Sequence, residues 1–155
     1  MKKRCAIYCR VSTSNLGQDI DRQIHECHRY AEMMGYEIVE TYQDEGFART
    51  TRNRPSLTKL IKDARQRKFS MVISDELSRF AGTPVLLLNL LEELKLWNVH
   101  IVSVKESIDT STPMGEMVST LIAAMGTDLV VALKMLCCSF RIANISNSVQ
   151  DAYVG

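Results

Sequence analysis

The sequence lacks the markers of several large protein classes. Only 6% of its 155 residues are aromatic, and eighteen consecutive uncharged apolar residues occur nowhere. Glu92, Glu93 and Lys95 interrupt the leucine-rich stretch and Asp128 and Lys134 the last apolar one, so no membrane span is expected. The five cysteines, at 5, 9, 27, 137 and 138, are not spaced as a disulfide framework. The opening MKKRCAIYCR is too short and too broken by polar residues for a signal peptide, and a reducing, cytoplasmic setting is expected. No Gly-x-x-x-x-Gly-Lys, Gly-x-Gly-x-x-Gly or Gly-x-Ser-x-Gly segment occurs, which argues against nucleotide cofactors and against serine hydrolases built on a strained elbow. His25 and His28 have no carboxylate or cysteine pair to complete a zinc set, so no metal is expected. Net charge is almost absent: 19 Lys and Arg against 18 Asp and Glu leave +1, an average that speaks against a partner held mainly by phosphate electrostatics.

What is present is enough apolar material, 46% of the chain, for one soluble domain with a core. The charge is also unevenly placed. Arg49 to Lys68 holds eight basic residues and one acidic one, net +7, which leaves −6 for the remainder. At physiological salt, charges act strongly only within roughly 8 Å. Such a segment can therefore attract a polyanion although the whole chain is nearly neutral. A solvated helix face accounts for the run as well.

Apolar spacing predicts alternating strands and helices. Cys5 to Val11 reads as a buried strand. A helix follows with Ile20, Ile24, Cys27, Ala31 and Met34 on one face, Asp19 as its cap and Gly35 as its stop. Tyr36–Tyr42, Ser70–Ser74 and His100–Val104 read as strands, Pro55 onward and Pro84–Trp97 as helices, and Asp44–Arg54 as a polar loop. This order predicts an α/β fold: a parallel-rich sheet of about four to five strands with flanking helices. Beyond Pro113 an apolar series from Met114 to Leu136 predicts a long helix of some 25 residues, roughly 35–40 Å. Its far half needs a cover, either the same helix of a second subunit or a fold-back at Gly126. The expected division is a core over 1–112, an oligomerisation helix over 113–140 and a tail over 141–155.

In parallel sheets the ligand crevice lies beyond the carboxyl ends of the strands. The loops there, Arg10–Gly17, Asp44–Arg54 and Asp75–Thr83, share guanidinium groups: Arg10, Arg49, Arg52, Arg54 and Arg79. Planar and permanently charged, these suit a phosphodiester whose transition state gathers charge on its oxygens. Ser12, just past the first strand, is the candidate nucleophile, and no histidine lies near it in sequence. A turn or capping role is the alternative for any one loop serine.

The order of motifs is more specific. Tyr8-Cys9-Arg10-Val11-Ser12-Thr13, then Gln18 and Gln23, Asp44, Arg54-Pro55-Ser56-Leu57, Leu77-Ser78-Arg79-Phe80-Ala81 and Met114-Gly115-Glu116-Met117-Val118 resembles the catalytic domain of the serine recombinases over about residues 4 to 125. The resemblance implies that Ser12 attacks a DNA phosphodiester to give a 5′-phosphoserine link and a free 3′-hydroxyl, with no metal or nucleotide cofactor. It places Arg10, Arg54 and Arg79 around the phosphate, Gln18 and Gln23 among the polar residues of the site, and Asp44 on an acidic position. It also implies a long dimerisation helix, a homodimer, a tetramer in the synaptic state, and DNA held through a C-terminal domain absent from this chain.

Three departures stand out. Gly82 occupies the place of a second family arginine; in another register Glu76 would take an arginine position instead. Gly126–Phe140 carries only Asp128 and Lys134 as charges, and nothing after residue 126 reads as a DNA-binding module. The sequence therefore leaves a second reading, a catalytically impaired dimerisation module, and a third, an unrelated α/β enzyme that would need a histidine beside Ser12.

Overall fold

The computed structural model describes residues 1–11, 18–46 and 54–125. Its elements are β1 (Arg4–Val11), α1 (Gln18–Met33), β2 (Glu37–Glu45), α2 (Pro55–Arg65), β3 (Met71–Ser74) and a one-turn 3-10 helix, η1 (Leu77–Arg79). α3 (Pro84–Leu96), β4 (His100–Ser103), β5 (Ile108–Asp109) and α4 (Pro113–Met125) follow. The strands form one sheet in the order β2-β1-β3-β4-β5, the first four parallel and β5 antiparallel to β4. This is the expected α/β class. Ile108 and Asp109, between the expected strand His100–Val104 and Pro113, add the unanticipated β5, which is too short to leave an alternating pattern.

Each face of the sheet has its own core. The odd residues Cys5, Ile7, Cys9 and Val11 of β1 pack under α1 through Ile20, Cys27 and Ala31. The even residues Ala6 and Tyr8 pack under α2 and α3 through Leu60, Ala64, Leu87, Leu90 and Leu94. β1 is thus covered on both sides, which is why its apolar run is continuous rather than alternating. The leucine excess of α3 has a second cause: α4 lies against it, and Leu88, Leu91 and Val118 are half-buried with the cluster.

Local signals set the ends of the helices. Gly35, at φ +70°, ends α1 in the left-handed conformation that glycine adopts freely. Asp19, expected as the cap of α1, instead lies inside its first turn, bonded to Arg22 and Gln23. Thr83 caps α3, its hydroxyl accepting from the Leu86 amide at 3.3 Å, with Pro84 next. Gly115 brings α4 onto the backbone of β5: a β-carbon there would fall 1.9 Å from the Asp109 carbonyl oxygen. Among the described residues no helix is long and apolar enough to cross a membrane.

Candidate active site

The chain leaves β1 outward to β2 and returns across it to β3, so the order of connection reverses between β1 and β3. The crevice at their carboxyl ends is where a doubly wound sheet binds ligands. β1 delivers Arg10 and Val11 there, with Ser12 next in sequence, and β3 delivers Ser74 and Asp75. Ser12, Arg49 and Arg52 lie outside the described residues, and Gln18 is placed only as the first residue of α1.

Gln23 is wholly buried, in a slot that helical spacing would give to an apolar side chain. Its carboxamide accepts from the Arg10 amide at 3.3 Å and donates to the Arg10 carbonyl at 3.4 Å, and it donates to Asp19 at 3.2 Å. β3 pairs with β1 only as far as Ile7↔Ile73, so Gln23 serves the backbone beyond that point as a neighbouring strand would. It thereby fixes the peptide two residues before Ser12. Arg10 is itself 2% exposed.

Asp44 joins two loops. β2 runs to Glu45 rather than stopping at Tyr42 as the sequence predicts, because the ladder with β1 continues through Arg10↔Asp44. The N-cap position of α2 falls on Arg54, whose side chain makes no cap bond. Asp44 supplies it from the strand, accepting from the amides of Ser56 at 3.0 Å and Leu57 at 3.1 Å. The Tyr8 hydroxyl donates to Asp44 at 2.9 Å. Burial, and then the carboxylate of Asp44, push the Tyr8 phenol far above its ordinary range, so it remains a donor. Arg54, 4% exposed, reaches from this capped start to η1, donating through Nη1 to the carbonyls of Arg79 at 3.1 Å and Phe80 at 2.5 Å. Glu106, which sequence reasoning missed, holds the other end of η1: its carboxylate accepts from the Leu77 amide at 3.3 Å and from the Ser103 hydroxyl.

Arg79 is thus fixed by its backbone, and its side chain lies on a wholly buried Asp75, Nε 3.1 Å and Nη2 3.3 Å from the two oxygens. Lys105 reaches the same carboxylate at 3.3 Å and Glu76 at 2.5 Å. Burial alone would raise the Glu76 pKa, but hydrogen bonds from Lys105 and Ser78 outweigh it and hold the carboxyl at about 2. Asp19, Asp75 and Glu76 thus face Arg22, Arg79 and Lys105.

The basic segment divides along α2. Arg54 is at the crevice, whereas Arg67 lies at the amino ends of the strands, where it lines a cavity of about 510 Å³ with Lys2, Lys3 and Arg4. Lys59, Arg65 and Lys68 are paired with Glu40, Glu93 and Asp63. The +7 segment is therefore not one field over the crevice.

Fold and site together define a doubly wound α/β domain with arginines gathered at its switch point. Residues 5–128 match the family described as "Resolvase, N terminal domain", and the chain belongs to this family, the serine recombinases. It is 34% identical over 120 residues to a probable DNA-invertase y4cG of Sinorhizobium fredii, matching 74% of this chain and 34% of that protein. It is also 34% identical over 115 residues to a putative DNA recombinase of Bacillus subtilis, matching 72% of this chain and 22% of that protein. The chain thus spans about a third or less of these relatives. Among solved structures, the N-terminal catalytic domain of TP901-1 integrase superposes with a TM-score of 0.72 at 35% identity, covering 79% of this chain and 93% of that one. A resolvase family site-specific recombinase from Streptococcus pneumoniae gives 0.68 at 25% identity, covering 98% and 99%.

Proposed function

We propose that this chain is the catalytic domain of a site-specific recombinase that breaks and rejoins DNA through Ser12. The Ser12 oxygen forms a bond to the phosphorus as the bond to the 3′-oxygen breaks. The serine proton leaves, the departing 3′-oxygen gains one, and a 5′-phosphoserine ester remains. Rejoining reverses these steps on a new 3′-hydroxyl, and the retained ester makes ATP unnecessary. Arg10, Arg54 and Arg79 carry the charge of the phosphoryl group, with Gln18, Gln23 and Asp44 shaping the loops, and neither metal nor nucleotide takes part. What supports this reading is that Arg10 lies near the end of β1, two residues before Ser12, and that Arg54 bonds the backbone of Arg79 at the same ends of the strands, in a chain of this family. Residues 1–112 are the catalytic core, 113–140 the oligomerisation helix and 141–155 a tail. Met114, Met117 and Leu121 are exposed along one side of α4 and suit a second copy in a dimer, two dimers forming the synaptic tetramer. DNA is gripped chiefly by a domain outside this chain.

The test is a covalent trap. Full-length protein is incubated with a nicked recombination site and the adduct is mapped by mass spectrometry. A phosphoserine at Ser12, lost in Ser12→Ala, is the expected result, and its absence overturns the reading.

Gly82 favours a second reading, an impaired domain that serves assembly alone. Loss of one preorganised donor costs roughly a hundredfold to a thousandfold in rate. Gly82 is not among the glycines at positive φ, so Gly82→Arg introduces no backbone strain. Under this reading the wild type forms no adduct and Gly82→Arg restores it; an adduct in the wild type excludes it.

A further inference from the structure

The amino ends of the strands, remote from the crevice, hold a second concentration of cations. Lys2, Lys3 and Arg4 lead into β1, Arg67 precedes β3 and Asn98 precedes β4, and with Trp97 they line the cavity of about 510 Å³. Among the described residues no carboxylate lines it. Arg65 and Lys68, on either side of Arg67, are paired with Glu93 and Asp63, whereas Lys2, Lys3, Arg4 and Arg67 form no ion pair among the described residues. α2 and α3 both end at this cavity, and their dipoles together offer about one negative charge, too little to balance four cations.

Both helices close in the same way. The amides of Lys68 and Val99 reach back to the carbonyls of Asp63 at 3.2 Å and Leu94 at 3.0 Å, with Arg67 at φ +54° and Asn98 at φ +58° between. Glycine fills this left-handed position at least cost and asparagine next. Arginine has no such backbone advantage, so what Arg67 contributes there is its side chain. The indole N–H of Trp97, a residue of the cavity wall, is buried and has no acceptor among the described residues. Unpaired cations and an unanswered donor together call for an anionic acceptor.

We propose that this cavity binds a phosphate group through Lys3, Arg4 and Arg67, the group belonging to a DNA backbone or to a free phosphate. A guanidinium beside two ammonium groups suits an oxyanion with several acceptor oxygens. The eight residues of β1, at about 3.3 Å each, put this cavity roughly 23 Å from the crevice. That exceeds a screening length of roughly 8 Å, so the two places hold different phosphates. The site stands apart from the recombination reading, and failure of Ser12 chemistry leaves it untouched.

The chain has one tryptophan, so a single indole N–H resonance reports on this cavity. That resonance is followed as inorganic phosphate is added, with chloride at matched ionic strength as the control. A saturable shift with phosphate and none with chloride is expected; equal shifts mean screening alone and overturn the proposal. Arg67→Gly suits the backbone, so its melting temperature should equal or exceed that of the wild type. Its phosphate affinity should fall roughly tenfold or more, as for the loss of one charge-assisted hydrogen bond. Lys3→Gln, at an exposed position, should weaken binding as well. Wild-type affinity in both variants overturns the proposal. A short duplex lacking a recombination site separates the two sources: if it shifts the resonance, and less so in Arg67→Gly, the phosphate is that of DNA. A shift with inorganic phosphate alone assigns a free phosphate, and a resonance that neither probe moves overturns the site.

Discussion

Gln23 closes on Arg10 as a strand would, accepting from its amide and donating to its carbonyl across the gap left where β3 ends. Replacing it with leucine keeps the volume and strips both bonds. A buried backbone group left unpaired costs about 1–3 kcal/mol, and these bonds are long, so Gln23→Leu should destabilise the domain by roughly 2 kcal/mol. The urea midpoint should fall with an unchanged slope. A loss under about 0.5 kcal/mol would mean that water replaces the carboxamide.

Asp44 caps α2 and receives the Tyr8 hydroxyl, so its two tasks can be separated. Asp44→Ala should cost about 3 kcal/mol, roughly 1 from the lost cap and the rest from the stranded phenol. Adding Tyr8→Phe removes the stranded group. The double variant should therefore be less destabilised than the sum of the singles by about 2 kcal/mol, as measured in a double-mutant cycle. Strict additivity would show that the Tyr8 bond contributes nothing.

At Gly115 even a methyl group must displace backbone, since the Asp109 carbonyl stands where it would go. Gly115→Ala should lift α4 from β5 and cost about 1–3 kcal/mol, despite alanine being the better helix former. Thermal melting gives the magnitude, and increased amide exchange at the start of α4 gives the place. A variant as stable as the wild type refutes this close packing.

The acid limb of stability should depend on Glu76. Its carboxyl is held at about 2 against an ordinary 4.5, because hydrogen bonds from Lys105 and Ser78 outweigh its burial. A depressed carboxyl stabilises the fold above its unfolded pKa, and that contribution disappears as pH falls toward the folded one. The gap between wild type and Glu76→Gln should thus be full above pH 4.5 and close toward pH 2. Urea midpoints at several pH values measure it; a gap that does not vary with pH contradicts the assignment.

The strands and helices were legible because each has a periodicity that its packing requires; the loop reading named Arg10, Arg54 and Arg79 together with Arg49 and Arg52, which lie outside the described residues. What stayed hidden were partners distant in sequence. Gln23 left a trace, a polar residue in the apolar stripe of α1. Asp44 was assigned to a loop because it and the strand residue before it, Gln43, are polar, although the ladder with β1 carries both. Glu106 left no local signal: it matters through a contact made 29 residues away, with the Leu77 amide. The division of the basic segment was equally invisible, since net charge does not record that a helix separates its two ends.

Glu106 has a consequence for the order in which the site matures. The amide of Leu77 waits for a carboxylate 29 residues later in the chain, whereas Arg54 is already present when η1 is made. A chain growing from its N-terminus therefore carries Arg10, Arg54 and Arg79 before the second of the two groups that hold η1 has been made. The position of η1 therefore draws on β4 and the turn after it as well as on Arg54, so the crevice depends on the far side of the sheet being folded.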